Sequence, residues 1–166
     1  MKTTKIATAL AGLAWVFAVH AETGTKDQEF LVKAAGGGLY EVQAGQLAQE
    51  KGQSASVKAF GAALAKDHGA ANDELKALAA RKGVTLPAAI AADKKVRLAH
   101  LAQSKNFDRE FVEEVGLDDH KSDIWLFEMA ANESEDADIK LFAVKTFPTL
   151  RAHRAHAEGL RKGGVQ

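Results

Sequence analysis

Apolar side chains recur every three or four residues through four stretches of about 25 residues each, and no stretch alternates with the period of a strand. In one of them Val57, Phe60, Leu64, Ala71, Leu75 and Leu78 carry the pattern. A chain built this way has helices to pack and nothing else. Its composition agrees, with 33 alanines and two prolines in 166 residues.

The first 21 residues stand apart. Lys2 and Lys5 form a positive start, Ile6 to Val19 is mostly apolar, and Val19-His20-Ala21 offers an A-x-A-like cleavage site. The expectation is a secretory signal peptide at 1–21, cleaved to leave a domain at 22–166 that begins with Glu22. The apolar run is short for a transmembrane span of about 20 residues. No later segment is long and apolar enough to span a bilayer as a helix, and none has the alternation of a barrel strand. The expected destination is the periplasm.

Local signals divide the rest. Thr25-Lys26-Asp27-Gln28 has the form of a capping box, opening a helix that runs to about Gly52. Gly36-Gly37-Gly38 lies inside it, where a close crossing or a kink would explain three residues that each cost about 1 kcal/mol against alanine. The second helix starts near Ser54 or Ser56 and ends at Lys82-Gly83. Pro87 opens a shorter helix of about 15 residues, since the first helical position needs no donor. Asn106 caps the third long helix, which runs to about Asn132, and Ser134 or Asp136 caps the fourth. Pro148 lies inside that last helix, which closes at Lys162-Gly163-Gly164. The pattern predicts an all-α fold: a ferritin-like four-helix bundle with an extra short helix between the second and third long helices, the long middle connection being what separates it from simple up-down bundles.

The informative residues are the ionisable ones on core-facing stripes. Glu41 lies three turns after Phe30, His68 follows Leu64 by four, His120 sits in the series Leu117, His120, Ile124, Phe127, and His153 follows Leu150 by three. Each long helix therefore presents one metal-competent side chain toward the core, and buried imidazoles or carboxylates are costly unless paired or coordinated. On the third long helix a second stripe, Phe107, Phe111, Val115, Trp125 and Met129, competes for the core and would leave His120 to one side. Asp67 and Asp119 each precede a histidine and point about 100° away from it, which suits a supporting or interhelical role better than ligation of the same ion. A metal site of Glu41, His68, His120 and His153, supported by Asp67 and Asp119, is one reading. The other is a set of core histidines hydrogen-bonded to neighbours.

His100, on the short helix, reads as a surface residue, and His156 as a cation at a helix C-terminus. The positions three before His68, His120 and His153 hold Ala65, Leu117 and Leu150, so the Glu-x-x-His pairs of a diiron bundle are missing. Histidine-rich ligation suits zinc or copper better than oxygen-activating iron. The absence of cysteine excludes thiolate sites and disulfides, and 22 basic against 22 acidic side chains argues against a nucleic-acid partner. No nucleophile elbow, P-loop or dinucleotide fingerprint is present, so an enzyme is not the expected reading.

The order of short motifs carries a resemblance. Phe30-Leu31-x-x-Ala34-Ala35, Glu41-Val42, Gln46-Leu47-Ala48, Val57-x-x-Phe60, Asp67-His68, Glu74-Leu75 and Leu86-Pro87 come first. Phe107-Asp108-Arg109-x-Phe111-Val112, Asp119-His120, Leu126-Phe127-Glu128 and Phe147-Pro148-x-Leu150-x-x-His153 follow. Over about residues 27–160 the chain resembles an exported bacterial ferritin-like family of unknown function, often called "predicted outer membrane protein". The resemblance implies a helical bundle in the cell envelope with no settled activity, and it sets Glu41, Asp67-His68, Asp119-His120 and His153 at the family's motif positions. Two functions are expected from this. One is metal handling or stress protection through a divalent ion, with zinc, copper or iron as candidates. The other is a non-enzymatic envelope structural or interaction protein whose His and Asp residues bond between helices.

Overall fold

Helix follows helix through residues 23–164, the part that the computed structural model describes. The order is α1 (Thr25–Lys51), α2 (Ala55–Arg81), the short α3 (Ala92–Gln103), α4 (Phe107–Glu110), a π-helical segment (Phe111–Asp119), α5 (His120–Glu133) and α6 (Ala137–Lys162). The three elements from Phe107 to Glu133 form one uninterrupted run. The chain is thus an all-α bundle with no strand among the described residues. The expected leader at 1–21 lies outside the described residues.

Most boundaries follow local chemistry. Ser54 caps α2 by accepting a hydrogen bond from the Val57 amide at 3.2 Å, and Asp136 caps α6 by accepting from the Asp138 and Ile139 amides. Gly83, just past α2, takes the left-handed conformation at φ +68°. Two expectations need correction. The capping box at Thr25 does not form, because the helix starts one residue early, with Gly24 at the cap position, and the Gln28 amide donates instead to the Thr23 carbonyl at 2.7 Å. Pro87 does not open the short helix, which begins at Ala92. Val84 and Leu86 pack on one end of the core, whereas Ile90 and Leu101 are buried at the other. An extended chain covers that distance in fewer residues than a helix rising 1.5 Å per residue.

The buried apolar residues form two clusters. One gathers Tyr40, Ala44, Val57, Phe60, Leu64, Phe111, Val115 and Ala157. The second holds Phe30, Leu31, Leu75, Leu78, Phe127, Ile139, Phe142 and Leu150. On three of the long helical runs the chain passes from one cluster to the other through His68, His120 or His153, and on α1 Glu41 follows Tyr40 at the same boundary. A polar layer therefore divides the core at mid-height. Next to this layer α1 and α2 approach closely, since a Cβ on Gly45 would lie 2.5 Å from the Gly61 carbonyl and one on Gly61 would lie 2.6 Å from the Gly45 carbonyl.

Candidate metal centre

His68, His120 and His153 come from α2, α5 and α6, and their ring centroids form a nearly equilateral triangle with sides of 5.5, 5.4 and 5.3 Å. One nitrogen from each lies within 4.8 Å of the others. Glu41 of α1 completes the layer, with Oε2 at 3.0 Å from His68 Nδ1 and Oε1 at 3.2 Å from His120 Nδ1. All four side chains are buried, Glu41 and His120 almost completely.

The π-helical segment is what turns His120 inward. Phe111 and Val115 lie on the buried face one α-turn apart, and His120 comes five residues after Val115. In an α-helix that step would rotate the side chain about 140° off the face. The wider i→i+5 turn returns it to the same side, and His120 Nδ1 lies 2.9 Å from the Val115 carbonyl. Both competing stripes of this helix are therefore core, one before the wide turn and one after it. Phe107, Phe111 and Val115 are buried upstream and His120 and Phe127 downstream, while Trp125 is exposed. Gly116 lets the segment pack against α6, where a Cβ would meet that of Ala157 at 2.6 Å.

Hydrogen bonding fixes the tautomers. His120 donates from Nδ1 to the Val115 carbonyl, so its Nε2 carries a lone pair. His153 donates from Nε2 to Asp67 Oδ2 at 3.0 Å, so its Nδ1 carries one as well. The two lone pairs face each other across 3.3 Å. Two nitrogens bound at about 2.05 Å to a tetrahedral ion would lie about 3.3 Å apart. His68 Nε2 is buried without a hydrogen-bond partner, and buried polar atoms are rarely left so. Histidine-rich donors of this kind, each steadied by an oxygen acceptor on its far nitrogen, fit a first-row divalent ion.

Burial sets the protonation states. It lowers the His68 imidazole to about 4 and pushes His120 and His153 below their ordinary value, so all three are neutral near pH 7. It raises the carboxyl groups of Glu41 and Asp123, the latter strongly, with each carboxyl adding to the other's environment. The Glu41–histidine contacts are therefore not ion pairs of charged imidazolium. Asp123 is the residue that sequence reasoning missed. It lies one turn beyond His120, and the spacing His120-x-x-Asp123 was the available signal that a carboxylate shares that face.

Asp67 stands behind His153, whereas Asp119 faces away. Its oxygens receive Arg97 at 2.8 and 3.0 Å and Lys94 at 3.1 Å, tying α3 to the end of the π-helical segment. His156 is exposed and packs over the Phe60 ring, with centroids 4.9 Å apart. His100, exposed on α3, does come near Glu110 and Glu114, but Arg97 lies 3.7 Å from Glu114 and supplies a cation there already.

Fold and site define an all-helical bundle with a polar, histidine-rich layer at mid-height. The chain belongs to the family described as a domain of unknown function, DUF4142, which matches residues 16–160. A search of curated proteins finds no match. Two solved structures share the fold. The DUF305 fragment from Deinococcus radiodurans is 12% identical with a TM-score of 0.73, over 84% of this chain and 97% of that one. CopM in the Cu(I)-bound form is 15% identical with a TM-score of 0.72, over 84% of this chain and 98% of that one. No described helix is long and apolar enough to cross a membrane.

Proposed function

We propose that this chain is an exported, periplasmic, ferritin-like bundle that binds one divalent ion in its core for metal handling or stress protection. Zn²⁺ or Cu²⁺ would be held by His68, His120 and His153; Glu41, at the Nδ1 edges of His68 and His120, would orient those rings as Asp67 would orient His153. The observation that carries this reading is the 3.3 Å approach of His120 Nε2 and His153 Nδ1, whose opposite nitrogens already donate to the Val115 carbonyl and Asp67, beside the buried His68 Nε2, which has no partner. Nitrogen and oxygen donors favour the divalent ions over Cu(I), which prefers sulfur. The copper-bound state of CopM, a protein of the same fold, supports the general idea of metal binding on this scaffold.

Elemental analysis of protein purified without chelators or a metal-binding tag tests the proposal, with one equivalent of zinc or copper expected. Added ion at a hundredfold excess over Kd should stabilise the fold by about 2.7 kcal/mol, and His68→Ala and His153→Ala should abolish that gain while remaining helical. A metal-free protein that no divalent ion stabilises would sink the idea. A second reading rests on the chain Asp67–His153–His120–Val115, which links α2, α6 and the π-helical segment. On that reading the protein is a non-enzymatic envelope component, and the same substitutions would destabilise it equally with or without metal.

A further inference from the structure

Two cavities meet at Asp123. The inner one, about 20 Å³, lies against Glu41, His68, Gly38 and Asn72 and has room for a single water molecule or ion. The outer one is a surface depression of about 370 Å³ bordered by Gly36, Gly37, Lys94 and Trp125. Asp123 lines both, and its carboxylate oxygens lie beside Gly37 at the edge of the outer one.

The glycine triplet of α1 runs past this carboxylate. Gly38 is favoured by packing, because a Cβ there would displace the Asn72 side-chain amide. Gly36 and Gly37 are not favoured in that way. A Cβ on Gly36 would come no closer than 4.0 Å to anything, and one on Gly37 would meet only the Asp123 oxygens, at 3.5 and 3.8 Å. Two glycines in a helix interior cost about 1 kcal/mol each against alanine, and here they keep the approach to the Asp123 carboxylate bare. Behind it Glu41 and His68 line the inner cavity, and His68 Nε2 has no hydrogen-bond partner.

We propose that the Gly36-Gly37 window and the Asp123 carboxylate form the port through which a divalent cation enters. Asp123 takes the ion from the surface depression and hands it to His68. The port rests on the metal-binding reading above, and its test separates rate from occupancy. Metal-free protein is mixed rapidly with Zn²⁺ carried by a weak coloured chelator, and uptake is followed as the colour fades. Gly37→Leu should load roughly tenfold more slowly than wild type yet reach the same final occupancy. Gly159→Leu should load at the wild-type rate, since Gly159 on α6 faces open space. Should Gly37→Leu not fold, Gly37→Ser gives the same comparison with a smaller obstruction. Equal loading rates for the Gly37 variant and wild type would overturn the port. So would a Gly37 variant that loses final occupancy, since the glycine would then belong to the site's framework. A wild type that takes up no Zn²⁺ at equilibrium would overturn both the port and the reading beneath it.

Discussion

His120 Nε2 and His153 Nδ1 face each other across 3.3 Å, and each ring is anchored from behind by an oxygen, the Val115 carbonyl for one and Asp67 for the other. The anchors leave neither ring free to turn its N–H toward the other. On the metal-binding reading, the pair is preorganised for a shared cation.

Removing an anchor should therefore weaken binding more than folding. Asp67 is partly exposed, so Asp67→Ala leaves no buried charge behind. We expect Zn²⁺ affinity to fall about 10–100-fold, read by competition against a chelator of known Kd, with a metal-free Tm close to wild type. Unchanged affinity would mean that His153 is oriented by packing alone.

The neutral state of His68 gives a signed pH dependence. Its folded value, about 4, lies below the ordinary 6.5, so the unfolded chain binds the extra proton first. Its contribution is complete above pH 6.5 and is lost as pH falls toward 4. The raised carboxyls of Glu41 and Asp123 act in the opposite sense, their contribution being complete at low pH and lost as pH rises through their folded values. Comparing wild type with His68→Gln keeps those carboxyls in both proteins. Urea unfolding of the metal-free forms between pH 6.5 and 4 should show wild type losing about 1.4 kcal/mol more per pH unit than the variant. Parallel curves would place the titration elsewhere.

Gly61→Ala tests the closest helix approach. The added Cβ would lie 2.6 Å from both the Gly45 carbonyl and Ala48 Cβ, and backbone cannot step aside as a side chain can. Destabilisation of about 1–3 kcal/mol is expected, measured by denaturant titration. A neutral result would mean that α1 and α2 separate without cost.

Asp108 offers a test away from the centre. It is almost fully buried, and its two oxygens accept from the Gln53 and Ser54 amides at 2.8 and 2.7 Å, clamping the α1–α2 turn to the start of α4. Asp108→Ala should cost about 2–3 kcal/mol, with Zn²⁺ stoichiometry intact. A loss below half of that would show that water reaches those amides.

Periodicity alone made the helices legible, because an apolar stripe is a local property and its spacing survives whatever the helix packs against. Glu41, His68, His120 and His153 could be picked out for the same reason: each interrupts an apolar stripe on its own helix. The two aspartates could not be sorted that way. Asp119 and Asp123 flank His120 by one and three residues, and which of them shares the histidine layer depends on how far the helix turns between Val115 and His120. The wide π-helical turn decides it, rotating His120 and Asp123 inward and leaving Asp119 to meet Arg97 and Lys94 of α3. The start of α3 was hidden for a related reason, since Pro87 is compatible with a helix but the segment must cross from one apolar cluster to the other. The sequence by itself thus determined that this chain builds a helical bundle with one polar residue at mid-height on each long helix. Only the tertiary structure decided that the four converge, because convergence depends on the rotation of each helix about its axis, which is fixed by the Gly45–Gly61 crossing and the wide turn before His120.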